Sequence, residues 1–157
     1  MQLSEHLSLA EVTYSETAKR LGISNEPTPE HLEAFKLLAA NIFEPIRTHF
    51  GKPIKVSSGY RSAALNKATP GSSATSQHCK GEALDLDQDG MTTGITNKMV
   101  FDYIKANLNF DQLIWEYGND SAPDWVHVSY SAKGPQRKMI LKCTRNAAGQ
   151  PVYTAWK

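Results

Sequence analysis

The sequence has few cysteines, no long apolar run and almost no net charge. Only two cysteines occur among 157 residues, without a CxxC pair, so a disulfide scaffold is not expected. The formal charge of +1 gives no strong field, and nucleic acid is therefore not expected as a partner. No apolar run approaches the ~20 residues of a membrane helix.

The N-terminus MQLSEHLSLAEV lacks the basic stretch and apolar block of a secretory signal. We therefore expect synthesis in the cytoplasm, so that any target outside the cell is reached by another route. At 157 residues, 40% of them hydrophobic, the chain is long enough to bury a core. No repeat, linker or low-complexity block divides it, which predicts a single domain over residues 1–157. We also expect the protein to be a monomer.

Helical patterns cluster early in the chain and strand patterns late. Helices are predicted over residues 9–21, 29–50, 62–67 and 96–108, with Pro45 expected to kink or end the regular part of the second. Strands are predicted over residues 54–58, 83–87, 110–117, 125–130, 138–144 and 151–156, the last two as a hairpin. This order predicts an α+β fold with a central antiparallel sheet.

Residues 76–87, SQHCKGEALDLD, put a histidine on a small-residue loop directly before a strand. Successive strand side chains point to opposite faces. Asp85 and Asp87 therefore share one face with Ala83, while Leu84 and Leu86 can enter a core. The strand would hold its carboxylates on a rigid support.

A second histidine stands in a similar run, WVHVSY at residues 125–130. His127 shares a face with Trp125 and Ser129, and Asp124 comes just before the strand. Two histidines and a carboxylate on rigid strands indicate a catalytic zinc site, which uses three protein ligands and leaves one position to water. For either histidine alone a structural role is the simpler interpretation.

Four motifs follow one another along the chain: SSGYRS at 57–62, H-x-x-G-x-A-x-D at 78–85, FDQLIWE at 110–116 and D-x-x-H at 124–127. Together and in this order they resemble the motifs of a family of zinc peptidases with a Hedgehog-like fold. The family includes D-Ala-D-Ala carboxypeptidases, the D,D-dipeptidases of vancomycin resistance and phage L-alanyl-D-glutamate endopeptidases. The similarity extends over about residues 32–130.

The resemblance implies that His78, Asp85 and His127 bind one Zn²⁺ ion. It further implies that Asp124 is the general acid/base and that Arg61 stabilises the oxyanion. The ion would acidify a water and polarise the scissile carbonyl, and a permanently charged guanidinium suits a developing oxyanion.

Some assignments remain open between a site role and a structural one. Asp87 is a rival metal ligand to Asp85, and Cys79 is a less favoured ligand or nucleophile. Because residues three apart on a strand face opposite sides, Asp124 can reach the metal only if it precedes the strand proper, and Pro123 is consistent with such a break. Three further residues are candidates for substrate binding: Ser76, Gln112 and Trp125. Trp115 and Glu116 are also candidates for lining the cleft, with a place in the core as the alternative for Trp115.

The resulting hypothesis is a zinc peptidase that hydrolyses an amide bond in peptidoglycan stem peptides, of the D,D-carboxypeptidase or L-Ala–D-Glu endopeptidase type. By analogy it would be a phage or prophage lytic enzyme that reaches the cell wall through a lysis pore. The alternative from another class is a non-catalytic module of the same fold that holds zinc and binds wall peptide. The third hypothesis is a structural virion or wall protein in which these residues only hold the sheet together, and it predicts that the protein contains no metal.

Overall fold

The computed structural model describes residues 1–157 and is built around one six-stranded sheet. The helices are α1 (Leu9–Thr13), α2 (Glu16–Leu21), α3 (Pro29–Leu38), α4 (Glu44–Phe50), α5 (Ala63–Ala68) and α6 (Asn97–Asn107). The strands are β1 (Val56–Ser58), β2 (Ala83–Leu86), β3 (Gln112–Glu116), β4 (Trp125–Ser129), β5 (Met139–Arg145) and β6 (Pro151–Ala155). None of the helices has the length and apolar character needed to span a bilayer.

The first predicted helix is in fact two short ones. Ser8 caps α1, and its capping box with Glu11 is present as expected. Tyr14 then adopts an extended conformation, and the Ser15 side chain caps α2. Helix α2 ends, as predicted, at Gly22, whose φ of 66° suits the left-handed position after a helix.

The second predicted helix changes its hydrogen-bond pattern before Pro45. Residues 39–43 form a π-helical turn between α3 and α4, and the Glu44 amide donates to the Ala39 carbonyl five residues back. Proline has no amide hydrogen to continue the regular ladder and crowds the preceding turn. The break was therefore correctly expected, and its form is a π-turn rather than an end of the helix.

The strand order is β1-β2-β4-β3-β5-β6. The α+β class is confirmed, and every neighbouring pair is antiparallel except β3 with β5, which makes the sheet mixed. The chain that follows β4 returns across the sheet and places β5 on the free side of β3. The predicted hairpin β5–β6 forms and completes that edge.

The two faces of the sheet differ in character. One face packs on the helices and supplies part of a cluster of 23 buried hydrophobic residues, including Leu84, Val126 and Trp115. The other face carries Asp85 and His127 and forms the floor of an open cleft. The alternation of β2 and β4 divides core from cleft, as the sequence predicts.

Candidate metal centre and cleft

His78 lies on a 3₁₀ turn, Gln77–Lys80, and its ring is almost fully buried. Its Nδ1 lies 2.6 Å from the carbonyl oxygen of Gly59. A carbonyl only accepts, so Nδ1 carries a proton, and Nε2 is the ring nitrogen left to bind a metal. The turn ends at Gly81, whose φ is 72° and where a Cβ would lie 2.5 Å from the His31 carbonyl oxygen. Only glycine fits this position.

Asp85 and His127 are directly paired across β2 and β4, on the cleft face. The Asp85 Oδ1 atom lies 3.1 Å from His127 Nδ1 and 3.3 Å from His78 Nε2. One ligand atom from each of the three residues can be chosen so that all lie within 4.8 Å of one another. The fold thus brings together the three predicted ligands, which are 49 positions apart in the sequence from first to last.

The donor set fits zinc. Ligand atoms about 2.0–2.1 Å from a tetrahedral ion are about 3.3 Å apart, close to the two distances from Asp85 Oδ1. Because Nδ1 is taken up by the Gly59 carbonyl, Nε2 is the His78 nitrogen that faces Asp85 Oδ1, and a cation between these two atoms would be held by both. Two imidazoles and one carboxylate are also the ligand set of a catalytic zinc site.

Electrostatics holds Asp85 in its ionised form. Burial alone would raise the pKa of this carboxyl, but the charges and hydrogen bonds of His78 and His127 outweigh burial and lower the pKa. An ionised carboxylate is the form that binds a metal.

Glu116 is a second buried carboxylate of the cleft, only 6% exposed. It lies at the end of β3 on the same face as Ile114, which pairs with His127. Burial raises the pKa of Glu116 to about 7, with the charge of Asp85 adding to the rise and the charge of His127 opposing it. A carboxyl with a pKa near neutrality can both accept and release a proton at working pH.

Asp124 lies elsewhere. It precedes β4, is exposed, and lines a separate shallow pocket rather than the cleft of His78 and His127. Its amide donates to the Glu116 carbonyl and its carbonyl accepts from Asn97, which fixes the backbone at the start of β4. The break at Pro123 does not bring Asp124 to the three predicted ligands. The structure instead brings Glu116 into their cleft.

Arg61 lines the cleft beside the His78 turn. Its backbone amide donates to the His78 carbonyl, and Nη2 lies 3.4 Å from the Ser76 hydroxyl oxygen. Nε is buried without a hydrogen-bond partner. The guanidinium therefore retains donors for a substrate oxygen.

The three candidate substrate residues, Ser76, Gln112 and Trp125, all line this cleft. Ser76 also has a structural role, because its hydroxyl accepts from the His78 amide and caps the 3₁₀ turn. Asp87 accepts from the Asn97 side chain and the Asp89 amide instead of joining the ligand set. No metal-ligand group includes Cys79.

Asp111 is a positioning residue that the sequence reasoning did not single out. Its buried carboxylate accepts two hydrogen bonds from the Arg137 guanidinium, at 2.9 and 2.8 Å, and one from Gln77 at 3.1 Å. The hydrogen bonds from Arg137 lower the pKa of Asp111. The carboxylate ties the turn that carries His78 to the segment before β5. Its position within the FDQLIWE motif was the available signal.

The cleft is large and polar. It encloses about 1450 Å³, and only 5 of its 31 lining residues are hydrophobic. Its walls extend from the loop at residues 69–77 to the hairpin turn at residues 149–151. Such a surface suits an extended polar chain better than a compact apolar molecule.

Comparison with known proteins agrees with the predicted resemblance. No curated protein sequence matches the chain significantly. The family model described as Peptidase M15 matches residues 5–129, which include all three predicted ligands and Glu116. This match covers most of the sequence, and the chain belongs to the peptidase M15 family.

Proposed function

We propose that the protein is a zinc peptidase that hydrolyses an amide bond in peptidoglycan stem peptides. The observation that carries the proposal is the convergence of His78, Asp85 and His127 on one point of an open polar cleft that also contains a buried carboxylate. Membership of the peptidase M15 family supports the reaction class. The substrate would be in the cell wall.

The chain's own residues supply the remaining chemistry. His78, Asp85 and His127 would hold a zinc ion, which would supply a Lewis acid able to polarise a carbonyl and to lower the pKa of water to about 7. Glu116 accepts the proton of the attacking water and returns it to the leaving nitrogen. Arg61 donates to the carbonyl oxygen as negative charge develops there.

Glu116 is the better candidate for the acid/base than Asp124. A general base must lie within hydrogen-bond reach of the proton it takes, directly or through one water. Glu116 shares the cleft with the three ligands, whereas Asp124 lines the neighbouring pocket. The pKa of Glu116, near 7, also suits a group that must gain and lose a proton in each turnover.

The open cleft favours an endopeptidase. Its lining continues beyond the ligand set towards both the loop at residues 69–77 and the hairpin turn at residues 149–151. A substrate that continues on both sides of the scissile bond would use both walls. A carboxypeptidase would need only one of them.

The test is mass spectrometry of the fragments that the wild-type protein releases from purified peptidoglycan, with Glu116→Gln and Asp124→Asn as matched variants. We expect stem-peptide cleavage by the wild type, a loss of about 10²–10⁴-fold with Glu116→Gln, and a change of no more than about twofold with Asp124→Asn.

Fragment masses identify the bond. A zinc-loaded wild type that binds peptidoglycan but releases no fragment would support the non-catalytic binding module instead. The opposite ranking of the two variants would return the acid/base role to Asp124.

A further inference from the structure

The C-terminal hairpin forms a wall of the cleft beyond the residues that match the family. The match ends at residue 129, whereas β5 and β6 span residues 139–155. Arg145, Pro151 and Tyr153 from these strands face the cleft. The hairpin therefore contributes a part of the cleft wall that the family match does not cover.

Arg145 is a fixed cation on this wall. Its guanidinium carbon lies 4.1 Å from the centre of the Tyr117 ring, and Nη1 donates to the Gly149 carbonyl at 3.2 Å. Stacking and one hydrogen bond orient the guanidinium while leaving most of its five donors free. No carboxylate lies within 4.0 Å of it.

Tyr117 is held in an unusual conformation beneath Arg145. Its φ of 53° is one of two positive values among the non-glycine residues, and such a conformation has an energetic cost that the surrounding structure must offset. Its ring also packs edge-on against Trp125, at 5.3 Å between centres. Tyr117 directly follows Glu116 in the chain, and its ring supports the Arg145 guanidinium.

The two acidic residues near Arg145, Asp120 and Asp124, do not form an ion pair with it. Asp120 and Asp124 line the adjoining shallow pocket, which Arg145 also borders. Asp120 pairs with Lys142 at 2.7 Å. Neither acid forms an ion pair with Arg145, so the charge of the guanidinium is available to a ligand.

The sheet register gives the distance from this cation to the ligand set. His127 pairs with Ile114, which pairs with Leu141, four residues before Arg145 on β5. Two strand spacings of about 4.8 Å and four residues of about 3.3 Å give a backbone separation of roughly 16 Å. An extended peptide covers this distance in about five residues, and the reach of the arginine side chain shortens it.

We infer that Arg145, supported by Tyr117, binds a free carboxylate of the substrate several residues away from the scissile amide. The inference rests on the proposed function and deepens it, since it specifies an acidic peptide with its carboxylate held at the hairpin. Guanidinium matches carboxylate in a planar, two-bond geometry.

The test uses the peptide L-Ala-D-Glu-L-Lys-D-Ala-D-Ala and two derivatives, each with one carboxylate converted to the amide. The variants are Arg145→Gln and Arg145→Lys. Lys142→Gln is the matched control, because it removes a positive charge from the same strand at a position outside the main cleft. KM and kcat are measured for hydrolysis, and binding is measured by calorimetry with the Glu116→Gln protein and the double variant Glu116→Gln/Arg145→Gln.

For the unmodified peptide, we expect Arg145→Gln to raise KM about tenfold or more, with kcat little changed. One of the amidated peptides should show the same weakening with the wild type and no further loss with Arg145→Gln. Arg145→Lys should recover part of the effect, and Lys142→Gln should have none.

Equal weakening for the acid and both amides, or no weakening at all, would overturn the assignment. If no peptide is cut, hydrolysis as the proposed function fails, and calorimetry decides the carboxylate site separately. A loss of affinity on replacing Arg145 that is confined to the carboxylate form supports the site, and equal affinities overturn it.

Discussion

The two faces of the sheet are built from alternating residues of the same strands, but one face forms the hydrophobic core and the other forms the cleft. On β4, Val126 and Val128 are fully buried against the helices, while His127 faces the cleft. The core face is stabilised by the removal of apolar surface from water. The cleft face instead holds Asp85 and Glu116 out of water at an energetic cost, which burial imposes on the ionised form of each.

This difference separates stability from chemistry along a single strand. Substitutions on the helix-packed face should change the free energy of unfolding, and those on the cleft face should change metal binding and turnover. Proteins commonly carry groups that cost stability at functional sites, and the buried carboxyl of Glu116 is such a group here. The four substitutions below, taken from the largest expected effect to the smallest, test this division.

His127→Ala should have the largest effect, on the cleft side. It leaves two ligands, too few for a catalytic zinc site, so bound metal and hydrolysis should both fall to background. Circular dichroism should remain that of the wild type, since the ring is not part of the hydrophobic core. Unfolding of the variant would show that the two faces are not separable at this position.

Phe101→Ala should have the largest effect on the core side. Phe101 is fully buried on α6, with its ring 5.1 Å from that of Trp115. Its removal should lower the free energy of unfolding by about 3–5 kcal/mol, measured by urea denaturation. Zinc content and kcat of the folded fraction should be retained. A specific loss of zinc by the folded protein would contradict the division.

Glu116→Gln should stabilise the metal-free protein while it removes activity. Burial raises the pKa of Glu116 to about 7 in the folded protein, whereas the pKa of an exposed glutamate in the unfolded chain is 4.5. Between pH 4.5 and about 7 the unfolded chain binds fewer protons than the folded protein. The free energy of unfolding of the wild type therefore falls as the pH rises through this range. At pH 8 the variant should be more stable by roughly 2–3 kcal/mol, and at pH 5 by much less.

Urea denaturation in the presence of a chelator, at both pH values, measures this difference. Asp124→Asn, made alongside, serves as the comparison. A stability gain for Glu116→Gln that is the same at pH 5 and pH 8 would exclude ionisation as its cause.

Asp124→Asn should have the smallest effect of the four. The side chain is exposed and makes no hydrogen bond or ion pair in the structure. The free energy of unfolding should change by less than about 0.5 kcal/mol, as for other surface substitutions. A large loss of turnover at unchanged stability would move the acid/base from the cleft face to this position.

The placement of the three proposed ligands could be predicted because their motifs are local and the alternation of a strand decides which side chains share a face. His78, Asp85 and His127 lie together as the resemblance implied. The capping residues Ser8 and Gly22 were likewise readable, since each acts within one helical turn.

The sequence indicated that Glu116 could line the cleft, but not that it, rather than Asp124, lies in the cleft of the three proposed ligands. Its position depends on the pairing of β3 with β4 and, on the other side, on the parallel pairing with β5. A strand pattern specifies which face is apolar but not which strand lies beside it. The position of Arg145 beside the cleft depends on the same parallel pairing of β3 with β5. Asp124 drew attention because its spacing from His127 fits the motif, yet the structure directs it to another pocket.

The most direct test of the account is the zinc content of the purified wild type and of Asp85→Asn, measured by plasma mass spectrometry after dialysis. Asparagine keeps the size of the side chain but removes the charge that binds the metal. We expect about one zinc per chain in the wild type and almost none in the variant, with both folded. A folded wild type that hydrolyses stem peptides without zinc, or an Asp85→Asn variant that retains a full equivalent, would contradict the proposed zinc site.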